Sequence, residues 1–152
     1  MNKKIFLGIA IFWLVIILSF VAFKEFTLTT GEEVLLKTQP VDPRDLFRGD
    51  YVILRYEIST IDTLELTEDL LEANDNVFVM LEEKEGYGTP VAIYKEAPKE
   101  GVFLKGKVIQ AKENSVSIEY GIESYFVPEG KGMDIQRNRD LEVLVSIDKY
   151  GN

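Results

Sequence analysis

The sequence predicts a mainly β protein: an N-terminal transmembrane helix followed by a small antiparallel β-barrel or sandwich with one or two short helices. Three observations lead there. Residues 5–23 form a run of 19 without a single charged side chain. Beyond that run, short segments of alternating apolar and polar residues are separated by turns rich in glycine, proline, asparagine and aspartate, the pattern of half-buried strands. Cysteine and histidine are both absent, so neither disulfides nor the usual zinc ligands contribute to the fold.

The apolar run is the first element. As a helix it reaches roughly 29 Å, close to the hydrocarbon thickness of a bilayer. Ser19 is its only hydroxyl side chain, and the run has no polar stripe of the kind a surface helix of a soluble domain carries. It is longer than the apolar core of a usual signal peptide. Bulky residues surround Ala22 where a small-x-small cleavage site would lie, which favours a retained anchor. Lys3 and Lys4 precede the run, whereas Lys24 beyond it is followed by Glu25. The positive-inside rule therefore predicts residues 1–4 in the cytoplasm, 5–23 in the lipid bilayer of the cell membrane as a single pass, 24–32 as a connector, and 33–152 as an extracytoplasmic β-domain.

The strands follow in order. Residues 33–39 alternate with Val34, Leu36 and Thr38 on one face. Pro40 and Pro43 then force an extended or turning path. Residues 51–56 form the next strand, with Val52, Leu54 and Tyr56 on one side and Tyr51, Ile53 and Arg55 on the other. Thr67, early acids and Asn74 predict one or two helical turns over 67–74. Residues 76–82 are apolar on both faces, as in a central strand. A turn at 86–90 leads to a hairpin partner at 91–95. Residues 102–111, 115–120 and 141–148 complete the set, the last with Leu141, Val143, Val145 and Ile147 inward. Residues 133–140 are predicted to form a short exposed helix.

Two blocks stand out from this pattern. The first is Gly49-Asp50-Tyr51-Val52-Ile53-Leu54-Arg55-Tyr56. Gly49 suits a permissive backbone angle at strand entry and Asp50 suits accepting backbone N–H bonds in the turn. The second is residues 120–132, where Tyr120, Gly121, Glu123, Tyr125, Phe126, Pro128, Glu129 and Gly130 make a dense composition for a plain connector. The first block fits the pattern G-D-Y-x-x-L-x-Y. On it, and on the Tyr-Gly pair followed by Tyr-Phe-Val-Pro-Glu-Gly, the chain resembles the GDYXXLXY protein family, membrane-anchored bacterial proteins with no established biochemical activity. The resemblance implies a membrane location and a multi-pass membrane protein as neighbour, since members often occur alongside such proteins.

Composition narrows the function. The overall net charge is −9. All 26 acidic residues and all but Lys3 and Lys4 of the basic ones follow the apolar run, so the balance beyond it is −11. An acidic surface repels phosphate backbones, which argues against nucleic-acid binding. Without histidine or cysteine there is no Ser-His-Asp triad or Cys-His dyad. Leu46-Phe47-Arg48-Gly49-Asp50 resembles the end of the box of membrane signal peptidases, but Val41 stands at the nucleophile's place and has no hydroxyl. Asp42, Asp45, Asp50, Glu123 and Glu129 supply carboxylates for acid–base work or a cation. Arg44, Arg48 and Arg55 are interleaved with the first three and are natural ion-pair partners for them. The expectation is an accessory or partner-binding domain that acts with another membrane protein and uses no cofactor or metal. A hydrolase using Asp50 or Glu123 is the alternative.

Overall fold

The computed structural model describes residues 3–39, 51–63, 66–67, 69–127 and 141–152. Helix α1 (Lys3–Thr30) contains a 20-residue stretch, Lys3–Ala22, that is long and apolar enough by length and composition to cross a membrane, and none of it is buried by the rest of the chain. The helix continues through the expected connector. Thr29 and Thr30 are helical, and Gly31 alone separates α1 from the first strand.

Among the described residues ten strands follow: β1 (Glu32–Gln39), β2 (Tyr51–Ile53), β3 (Arg55–Tyr56), β4 (Thr60–Asp62), β5 (Asn76–Lys84), β6 (Tyr87–Tyr94), β7 (Val102–Ala111), β8 (Ser115–Glu119), β9 (Ser124–Phe126) and β10 (Glu142–Ile147). All their pairings are antiparallel. A five-stranded sheet runs β4-β8-β7-β5-β6, a three-stranded sheet β10-β1-β3, and β2 and β9 form a ribbon of their own. Together they make a nearly closed, barrel-like β-domain. As expected, β5 is central, paired on both sides, and its Val77, Val79 and Leu81 point into the core. The β5–β6 turn falls at Glu85 and Gly86, earlier than the sequence predicted, and β6 starts at Tyr87.

The core gathers inward positions of every sheet: Leu36, Val52, Leu54, Tyr56, Val77, Val79, Leu81, Leu104, Val108, Val116, Ile118 and Ile147 among others. Alternation fails where packing overrides it. Phe103 lies on the outer face of β7 yet is buried, because its ring meets Phe78 edge-on at 5.7 Å between centroids. Among the described residues of 67–74 no helix forms. The chain turns there through Asn74, whose φ is 76°, and is held by Asn74 N–H to Val108 O (2.8 Å) and Val108 N–H to Asp75 O (2.9 Å). Asp75 accepts the Glu72 N–H at 3.0 Å, so its carboxylate satisfies the turn more cheaply than a one-turn helix with poor nucleation would. The short helix expected at 133–140 lies outside the described residues. Among the described residues a short helical turn, Glu57–Ser59, carried no sequence signal.

One side of the barrel closes without a strand ladder. β1 and β6 run beside each other, pressed together where Gly88 meets the side chains of Val34 and Leu36. A Cβ at position 88 would overlap Val34. Tyr87 fastens the same seam from outside: its hydroxyl donates to the Glu142 carboxylate, and Lys37 lies 4.0 Å above its ring.

Candidate functional site

The strand predicted over 51–56 is split at Leu54, and the split is what assembles the two blocks. β2 pairs with β9 in the register Tyr51↔Phe126, Val52↔Tyr125 and Ile53↔Ser124. β3 leaves that ribbon and pairs with β1 instead, Tyr56 opposite Thr38. Leu54 at the junction keeps its backbone satisfied by donating to Glu123 O at 2.7 Å. The first block therefore spans the ribbon and the three-stranded sheet, and the second block lies against it in space.

Two tyrosines lock this contact reciprocally. Tyr56 of the first block is 1% exposed, and its hydroxyl donates to Ile122 O of the second at 2.8 Å. Tyr120 of the second block donates to Ile58 O, just beyond the first, at 2.7 Å. Each ring lies in apolar surroundings and each hydroxyl satisfies a carbonyl that no strand ladder reaches, the usual condition for burying tyrosine. Ser59 closes the helical turn beneath by accepting the Tyr56 N–H at 3.3 Å. Gly121, with φ +81°, takes the left-handed step that reverses the chain between β8 and β9, a conformation glycine enters without a Cβ penalty. Within this turn the Glu123 carboxylate accepts the Tyr120 N–H at 2.6 Å.

These surroundings set the electrostatics. Burial first, and the nearby Glu123 charge second, push the Tyr56 phenol up to about 12. The same two causes, in the same order, push Tyr120 up further. Both therefore stay neutral donors throughout the physiological range. Glu123, a candidate acid or base by sequence, here caps a backbone amide.

The outer face of the ribbon differs. Ile53 and Phe126 on it are 43% and 59% exposed, with Arg55 exposed nearby in sequence; Tyr125, opposite Val52 and so on the other face, is 56% exposed. Below Tyr125 lies an open groove of about 300 Å³ with Val52, Leu54 and Val143 in its lining. The expected division of the first block is thus present: Val52, Leu54 and Tyr56 inward, Ile53 and Arg55 outward. Tyr51 takes its place in β2, with its side chain outside the described residues. Gly49, Asp50, Pro128, Glu129 and Gly130 lie outside them too, as do Asp42, Asp45, Arg44 and Arg48. Among the described residues no ion pair is seen for Arg55; Lys95 pairs with Asp75 at 2.9 Å, far along the chain.

Sequence reasoning missed three contributors. The carbonyls of Ile58 and Ile122 act through backbone, which residue type does not reveal. Leu144 reads as the outward position of the last strand, but nothing in its spacing shows that it borders the groove. The family comparison agrees with the two blocks: the family model described as GDYXXLXY protein matches residues 13–152. No curated protein and no solved structure matches the chain.

Proposed function

The chain belongs to the GDYXXLXY protein family, and from that premise we propose that it is a membrane-anchored, extracytoplasmic accessory domain that binds another membrane protein. The observation that carries this reading is the two-sidedness of the β2–β9 ribbon. Tyr56 and Tyr120 beside it are spent on internal hydrogen bonds, while its outer face presents Ile53 and Phe126 to solvent, and Tyr125, on the face it shares with Val52, stands exposed over the open groove. Aromatic side chains exposed on a paired, rigid ribbon lose little conformational entropy on binding, and such residues are enriched at the energetic centres of interfaces. The apolar stretch of α1 supports a bilayer anchor with Lys3 and Lys4 on the cytoplasmic side, which makes a neighbouring membrane protein the natural partner. The near-continuity of α1 with β1 supports a domain carried at a set height above the membrane.

The test is site-specific photocrosslinking in intact membranes, with the crosslinker at position 125 and a control at exposed Glu113. The partner captured at 125 is then reconstituted with wild type, Tyr125→Ala and Phe126→Ala, each checked for folding by circular dichroism. A discrete membrane protein that crosslinks at 125 only, and binds either folded variant at least about tenfold more weakly, supports the reading. Equal crosslinking at both positions, or unchanged binding by both variants, refutes it.

A further inference from the structure

The open seam between β1 and β6 widens, at its helix-proximal end, into a cleft of about 280 Å³. Its floor is apolar: Leu35 and Leu144, opposite each other in the β1–β10 register, and Leu81 from β5. Its rim is acidic: Glu32 and Glu33 from β1, Glu82 and Glu83 from β5. All four are exposed, and among the described residues none is in an ion pair and no lysine or arginine lines the cleft. The cleft exists because the seam has no ladder. At Gly88, which also lines the cleft, β1 and β6 are in close contact.

Leucines on the floor with carboxylates on the rim call for an occupant with apolar and cationic groups on one short chain. Among the described residues no three carboxylates converge closely enough to hold a metal ion, which points to cationic groups spaced along a chain rather than to a single small ion. Charge complementarity fixes the sign: among the described residues four carboxylates and no basic side chain line the cleft, in a chain whose balance beyond the apolar run is −11. Only Gly31 separates Glu32 from the end of α1, so the cleft opens at the foot of the domain.

We propose that this cleft docks a short extended segment of a partner polypeptide carrying lysine or arginine alternating with apolar residues. The basic side chains meet the four carboxylates and the apolar ones cover Leu35 and Leu144. This rests on the partner-binding reading and names a second contact for it, since Leu144 borders both the cleft and the groove below Tyr125.

The experiment uses the full chain in nanodiscs of zwitterionic lipid and a fluorescent, end-blocked hexapeptide of alternating leucine and lysine, with empty nanodiscs as background. Saturable binding is expected, weakened at least about tenfold by the combined Glu32→Gln, Glu33→Gln, Glu82→Gln and Glu83→Gln variant and by less than about twofold in the matched variant neutralising Glu96, Glu100, Glu113 and Glu119. All eight positions are exposed, and circular dichroism confirms folding. Tyr125→Ala should bind the peptide as wild type does, so failure of the aromatic face and failure of the cleft are read separately. Absence of binding, equal loss in the two neutralised variants, or no loss in the first overturns the proposal. So does self-association of the chain that only the first variant abolishes, which would make a second copy the occupant.

Discussion

Replacing Tyr56 by phenylalanine removes one oxygen atom from the centre of the two-block contact and leaves the buried ring in place. The Ile122 carbonyl loses its donor at 2.8 Å. A hydrogen bond of this kind contributes about 0.5–1.5 kcal/mol net, and a buried carbonyl left without a partner costs about 1–3 kcal/mol. Ile122 is half-buried, so water reaches part of the carbonyl and the expected loss is about 1–2 kcal/mol at neutral pH. The pH dependence adds a sharper signature. The phenol is pushed from its ordinary value near 10 up to about 12, so the folded state holds a proton that the unfolded state gives up. Its contribution is fully present below pH 10 and is lost as pH rises from 10 to 12, by about 2–3 kcal/mol in all. Phenylalanine has no such proton. Wild type should therefore be the more stable at pH 8, and the two stability curves should meet or cross before pH 12. Urea unfolding in detergent micelles, followed by far-UV circular dichroism, measures this. Tryptophan fluorescence does not serve, because Trp13 lies in α1. Parallel curves across pH 8–12, or a neutral effect at pH 8, would refute the reciprocal lock.

Other outcomes follow from the same geometry. Tyr120→Phe should also flatten the alkaline loss, and in a double-mutant cycle with Tyr56→Phe the two should couple by about 0.5 kcal/mol or more, because they fasten one contact. Tyr125→Ala, at an exposed position, should change stability by no more than about 0.5 kcal/mol in the same urea assay. Gly88→Val should cost about 1–3 kcal/mol through overpacking against Val34 and Leu36, visible as a lower urea midpoint. The Asp75 carboxyl, held below its ordinary value chiefly by the hydrogen bond from Lys95, should titrate in NMR at lower pH than in Lys95→Ala. Its share of stability is present above the unfolded value and disappears as pH falls through the folded one.

How much of this was legible depends on what each element rests on. β7, β8 and β10 are set by period-2 alternation and β5 by a run apolar on both faces, and they form where the pattern says. Residues 67–74 carry helical end signals, but a cap and a few acids cannot offset nucleation in so short a segment. Asn74 and Asp75 settle the backbone as a turn. The extension of α1 to Thr30 was hidden because Thr27, Thr29 and Thr30 have low helix propensity. The preceding apolar turns had already met the nucleation cost, so extension is possible there. Neither β4 nor β9 was visible, since strands of three residues have too few positions to show a period.

The site was legible as two unusual stretches and illegible as a contact, and the reason lies in its chemistry. Alternation within 51–56 assigned Tyr56 to the core correctly, yet a buried tyrosine needs an acceptor, and sequence cannot say which carbonyl is left over by the sheets. Here those carbonyls belong to Ile58 and Ile122, at a helical turn and a glycine reversal where no ladder runs. The split at Leu54 makes both available: it sends β2 to β9 and β3 to β1, leaving the corner between them to be satisfied by side chains. The composition of the second block then has a division of labour. Tyr120 and Glu123 complete the corner, Gly121 turns it, and β9 carries Phe126 outward and Tyr125 over the groove beside Val52.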